Sequence, residues 1–145
     1  MINYGMRHTG IVVSDIDRSI GFYGDLLGFK ILKDNVEFGE HIDVFLGMGN
    51  TVVRTVKMVL DTGDMVELLS YETNKRQGQT ERINQVGCTH IAVTVDDLDY
   101  TYKNFLEQGV EFINPPFFSP DGLVKVAFCR DPDGFFIELV EEIDS

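Results

Sequence analysis

Two histidines and two glutamates recur at matching places in the two halves of this chain, and together they make a donor set suited to a divalent cation. Laying His8 on His90 sets an offset of 82 residues, under which Asp15 falls on Asp97 and Asp17 on Asp99. Later in each half a carboxylate stands in the middle of an apolar stretch, Glu67 in Met65-Val-Glu-Leu-Leu69 and Glu138 in Phe135-Phe-Ile-Glu-Leu-Val140. An ionised group among apolar neighbours is costly unless it is paired or coordinates a metal. Two imidazoles and two carboxylates suit Zn, Ni, Co, Mn or Fe(II), one ion per site, with coordination positions left open for water or substrate. An open position is what a Lewis-acid catalyst requires.

The elements that must carry these residues repeat as well. Ile11 and Val13, like Ile91, Val93 and Val95, alternate at period 2, the mark of a strand with one apolar face. Asp15 and Asp97 offer the side-chain oxygen that a helix start needs. Ile16, Ile20, Tyr23 and Leu27 then form a one-sided stripe, and Leu98, Tyr102, Phe105 and Leu106 another. Gly28 and Gly109 stand where a left-handed cap is wanted, and Phe29–Leu32 and Val110–Ile113 resume as strands. Each half closes on a hairpin, Val56–Leu60 to Met65–Leu69 and Val124–Phe128 to Phe135–Val140, around turns rich in Asp and Gly.

Alternation sets the direction of the candidate ligands. If Ile11, Val66, Leu68, Ile137 and Leu139 pack on the helices, then His8, Glu67, His90 and Glu138 face the other way. Val12, Met65, Leu69 and Phe136 share that second face and are expected to line a substrate cavity. His41, in Gly39-Glu-His-Ile-Asp43, lies outside the repeat and reads as a surface or pocket-rim residue. The segment from Asn35 to Thr55, with Gly39, Gly47 and Gly49, is an insertion peculiar to the first half.

The expected architecture is α+β, a single domain over residues 1–145 made of two βαβββ modules. They cover about residues 5–71 and 88–142, and a polar linker, 72–87, joins them. Twelve Lys and Arg against 24 Asp and Glu give a net charge of -12, which repels phosphate backbones and anionic lipid. Nucleic acid and membrane are therefore excluded as partners. The scattered basic residues, Arg54, Lys57, Lys75, Arg76, Arg82, Lys125 and Arg130, read as ordinary solvated charges, with local contact to an anionic small molecule as the alternative. Two cysteines, Cys88 and Cys129, are too few for a disulfide framework and read as buried or half-buried thiols. No apolar run reaches the roughly 20 residues of a membrane span, and no leader is recognised, so a cytoplasmic location is expected.

The segments His8-Thr-Gly-Ile-Val-Val-Ser-Asp15 through Leu27-Gly-Phe29, Val66-Glu-Leu-Leu69, His90-Ile-Ala-Val-Thr-Val-Asp-Asp97 and Arg130-Asp-Pro-Asp-Gly-Phe-Phe-Ile-Glu-Leu-Val140 resemble the vicinal oxygen chelate superfamily. That superfamily includes glyoxalase I, methylmalonyl-CoA epimerase, extradiol dioxygenases and the fosfomycin and bleomycin resistance proteins. The resemblance covers nearly the whole chain. It implies paired modules curled into a half-barrel, a homodimer, and a small-molecule substrate with neighbouring oxygens. The implied activity is that of a lyase, isomerase or epimerase that abstracts a proton next to a carbonyl through a metal-stabilised enolate or enediolate, with Glu138 and Glu67 as bases. Glutathione-dependent glyoxalases carry an arginine and an asparagine where this sequence has Val12 and Tyr71. Methylmalonyl-CoA epimerases often have glutamine and histidine in place of Glu67 and Thr89. The alternatives are an Fe(II) dioxygenase and a non-catalytic drug-binding protein on the same fold.

Overall fold

The computed structural model describes residues 2–76, 78 and 82–144. Its chain divides into two compact units, Met1–Gln77 and Gly78–Ser145. Part of the expected linker, residues 77 and 79–81, lies outside the described residues.

The first unit runs β1 (Thr9–Val12), α1 (Ile16–Gly21), a π-helical turn (Phe22–Leu26), β2 (Lys30–Phe38), α2 (Glu40–Leu46), β3 (Val52–Val59) and β4 (Met65–Tyr71). Its four strands lie in the order β1-β4-β3-β2, with β1 parallel to β4 and the others antiparallel. The second unit runs β5 (His90–Thr94), α3 (Leu98–Glu107), β6 (Phe117–Phe118), β7 (Val124–Arg130) and β8 (Phe136–Glu142). Its order, β5-β8-β7-β6, and its strand directions repeat those of the first. Both units are thus βαβββ modules, and the chain is α+β.

The local signals work as their chemistry requires. Asp15 Oδ1 accepts from the Arg18 N–H at 3.1 Å, and Asp97 Oδ1 from the Tyr100 N–H at 2.9 Å, so each helix start has its cap. Gly28 and Gly109 follow the helices at φ 83° and 84°, where a side chain would be strained. Ile11, Val13, Val56, Met58, Val66 and Leu68 bury one face of the first sheet, and Leu98, Phe105, Ala127, Cys129, Ile137 and Leu139 are buried in the second unit.

Three expectations need correction. In the first helix the buried residues are Ile16, Ser19, Phe22 and Tyr23, whereas Ile20 and Leu27 are only half-buried. Within α1 the buried stripe passes through Ser19 rather than Ile20, and the π-helical turn that follows widens the spiral ahead of Leu27. Val110–Ile113 forms no strand; it makes one isolated bridge, Phe112 to Cys129, and the edge position falls to the two-residue β6. Within the segment 35–55, β2 runs on to Phe38, α2 follows, and β3 begins at Val52. Cys88 is exposed, and only Cys129 is buried. Among the described residues no helix is long and apolar enough to cross a membrane.

Candidate metal centre and adjoining cavity

The parallel pairing of β1 with β4 sets Gly10 opposite Glu67. His8, two residues before Gly10, therefore projects on the Glu67 side, and its Nε2 stands 3.5 Å from Glu67 Oε1. In the second unit Ala92 lies opposite Glu138, and His90 Nε2 stands 3.5 Å from Glu138 Oε1. The His90 ring meets Phe128 edge-on at 5.4 Å, which fixes its plane. The repeat thus delivers one histidine and one glutamate to the same place in each unit.

A contact of 3.5 Å is long for a charge-assisted hydrogen bond, which runs about 2.7–2.9 Å. It matches two ligands sharing one ion: with metal–ligand bonds near 2.1 Å, neighbouring donors stand roughly 3 to 3.5 Å apart. His8 Nδ1 is buried without a hydrogen-bond partner among the described residues. The His8 and Glu67 side chains keep 24% and 16% of their surface, enough access for an ion and a ligand while limiting bulk water. On this chemistry the residues fit a divalent cation. Among the described residues no group of three or more candidate ligands gathers; each unit presents one histidine–glutamate pair.

The expected substrate-lining residues divide. Val12 is 61% exposed on the His8 face of β1, and Met65 and Leu69 flank Glu67 half-buried. Phe136 does not line an open surface as expected. It is 1% exposed, and the Arg130 guanidinium covers its ring at 4.3 Å. Arg130 is thus held by an aromatic face and by the Gly134 carbonyl, to which its Nη1 donates at 3.1 Å.

Glu67 also borders a cavity of about 260 Å³ within the first unit. Leu69 of β4, Thr55 and Lys57 of β3, and Lys33 and Asn35 of β2 form its floor, and α2 closes one side with His41 and Phe45. His41 sits at this rim, its Nε2 3.9 Å from Glu37 Oε2 and its ring edge-on to Phe45 at 5.9 Å. The Asp43 carboxylate anchors α2 to the next loop by accepting from the Thr51 N–H at 2.8 Å and the Asn50 N–H at 3.2 Å. Those hydrogen bonds, that of Thr51 first, hold its carboxyl below the usual range.

Lys33, Asn35 and Thr55 are cavity residues that the sequence reading missed, and Lys57 it counted as solvated. The alternation of buried Val56 and Met58 with Thr55 and Lys57 carried the signal for β3. Two other basic residues are engaged elsewhere in ion pairs. Arg54 grips Asp34 through Nε and Nη2 at 3.0 and 2.8 Å and reaches Asp17 at 3.1 Å. Lys125 donates to Asp99 at 2.7 Å and pairs with Glu141 at 3.5 Å.

These modules have recognisable relatives. A probable lactoylglutathione lyase of Vibrio cholerae is 32% identical over 143 residues, spanning 97% of this chain and 93% of the relative. One from Synechocystis is 30% identical over 137 residues, 94% of each. Among solved structures, a glyoxalase family protein from Bacillus cereus superposes with a TM-score of 0.89 at 24% identity, covering 96% of this chain and 94% of that one. A superfamily member from Sphaerobacter thermophilus gives 0.65 at 29% identity, covering 96% and 98%. The family model of the Glyoxalase/Bleomycin resistance protein/Dioxygenase superfamily matches residues 5–139, which takes in both His–Glu pairs and both sheets, and the chain belongs to that superfamily.

Proposed function

We propose that the protein is a cytoplasmic, divalent-metal-dependent lyase or isomerase of the glyoxalase I and methylmalonyl-CoA epimerase type, both modules working as one domain. The observation that carries this reading is the twin pair, His8 with Glu67 and His90 with Glu138, each at 3.5 Å. The four side chains would hold one ion, from the two modules of one chain or from two chains of a homodimer. Such an ion supplies Lewis acidity at the substrate oxygens and so acidifies the neighbouring C–H.

The protein's own residues do the rest. Glu138 or Glu67 takes the proton from the carbon beside the carbonyl and returns it to the adjacent carbon, or to the opposite face of the same one. Atoms and electrons then balance without an external redox partner. His8 and His90 would hold the ion beside the carboxylates, and Val12, Met65 and Leu69 offer apolar contact to the substrate and exclude water. The names of the relatives support the thiol adduct of a 2-oxoaldehyde as the substrate class. Exposed edge residues on β2, Leu32, Val36 and Phe38, give a second copy apolar surface to cover.

The test is metal analysis of the purified protein together with solvent deuterium uptake by methylglyoxal–glutathione hemithioacetal and by a 2-methyl-branched acyl thioester. Stoichiometric metal and exchange that chelation abolishes are expected. Exchange into neither compound by metal-loaded protein overturns the reading.

A further inference from the structure

Between strands β2 and β3 an opposite-charge pair meets on one face, and on the other two lysines are directly opposed, the second of them also in register with Glu67 of β4. On the helix face Arg54 clasps Asp34. On the cavity face the register places Lys33 directly opposite Lys57, and both line the cavity that begins at Glu67. Like charges directly opposed across strands are destabilising. Neither ammonium has an ion-pair partner among the described residues, in a chain with 24 acidic residues against 12 basic ones. Lys30, Arg54 and Lys125, by contrast, each find a carboxylate. Asn35 and Thr55 lie in the adjoining cross-strand position of the same floor and add neutral hydrogen-bonding groups.

We propose that Lys33 and Lys57 form a carboxylate-binding subsite for the thiol-bearing part of the substrate. The inference rests on Glu67 marking the reacting end. From Glu67 on β4 the row runs to Lys57 on β3 and on to Lys33 on β2, one and two strands away, or roughly 5 and 10 Å at the usual strand spacing. A substrate that uses this subsite carries its carboxylate that far from the reacting carbon. An adduct of a carboxylated thiol has this reach, whereas a short 2-oxoacid has not. Seated between the two ammonium groups, the carboxylate accepts charge-assisted hydrogen bonds and removes their repulsion.

The probes are glutathione and its diethyl ester, whose carboxylates are masked, titrated calorimetrically into metal-loaded protein. Wild type is expected to bind the acid about tenfold or more tightly over the ester, the effect of hydrogen bonds to a charged group. In a Lys33→Met/Lys57→Met double variant the preference falls to within about twofold while ester binding is unchanged. Equal binding of acid and ester by wild type, or parallel loss of both in the variant, overturns the proposal. The same titration on Glu67→Gln separates the two readings. An acid preference that persists there, with no deuterium exchange in any form, leaves the subsite standing and removes the lyase reading.

Discussion

His8 and Glu67, on neighbouring parallel strands, bring Nε2 and Oε1 to 3.5 Å because Gly10 lies opposite Glu67 in the β1–β4 register. His90 and Glu138 repeat the relationship, and the first prediction follows from it. Glu67→Gln and Glu138→Gln each keep the shape but lose a charged oxygen donor and a base. Turnover of the hemithioacetal should drop by about 10²–10⁴-fold in at least one of them. Metal content should fall in both, measured by elemental analysis after dialysis. His8→Ala should lose metal without unfolding.

Arg54 ties Asp34 of β2 to Asp17 of α1. Hydrogen bonds from Arg54 hold the Asp34 carboxyl below its ordinary value of 3.8. The folded value is depressed, so the stabilisation is present above the ordinary carboxylate range and is lost as pH falls through the folded value. Arg54→Met should cost about 1 kcal/mol at neutral pH, the pair being partly exposed and screened. Urea melts should show the variant and wild type converging as pH drops below about 4.

Leu139 is completely buried on β8, while Leu106 on α3 is 46% exposed. Leu139→Ala should destabilise by about 2–5 kcal/mol, since it leaves a cavity as well as losing burial. Leu106→Ala should stay within about 1 kcal/mol. Chemical denaturation followed by circular dichroism distinguishes them.

The two thiols differ sharply in reactivity. Burial first, and the nearby Asp131 charge second, push the Cys129 thiol up to about 12, whereas Cys88 is exposed. Because the thiolate is the nucleophile, iodoacetamide at neutral pH should label Cys88 alone in native protein and both after denaturation. Peptide mass spectrometry reads the outcome.

Much of this was legible in the chain itself, for reasons that are local. Asp15 and Asp97, Gly28 and Gly109, and the alternation around Glu67 and Glu138 each announce a conformation by their own chemistry. Their recurrence at a fixed offset pointed to two copies of one module. The α2 helix was hidden because it is a seven-residue element bounded by Gly39 and Gly47, too short for a periodic stripe. The phase of the first helix was misread because Ile20 outranks Ser19 on hydrophobicity alone, and the π-helical turn before Leu27 leaves no mark on apolar spacing.

Residue types and their order by themselves determined the repeat, the α+β class and the four candidate ligands, since each depends on nearest neighbours and period. The environments of Phe136 and Lys33 were decided only by the tertiary structure. Arg130 covers Phe136 from across the β7–β8 pairing. Ile31 pairs with Met58, so an unbroken register would set Leu32 against Lys57. A bulge between Ile31 and Lys33 brings Lys33 there instead. A one-residue slip moves a strand's side chains to its other face, and such a slip is settled by pairing across strands that no local pattern records.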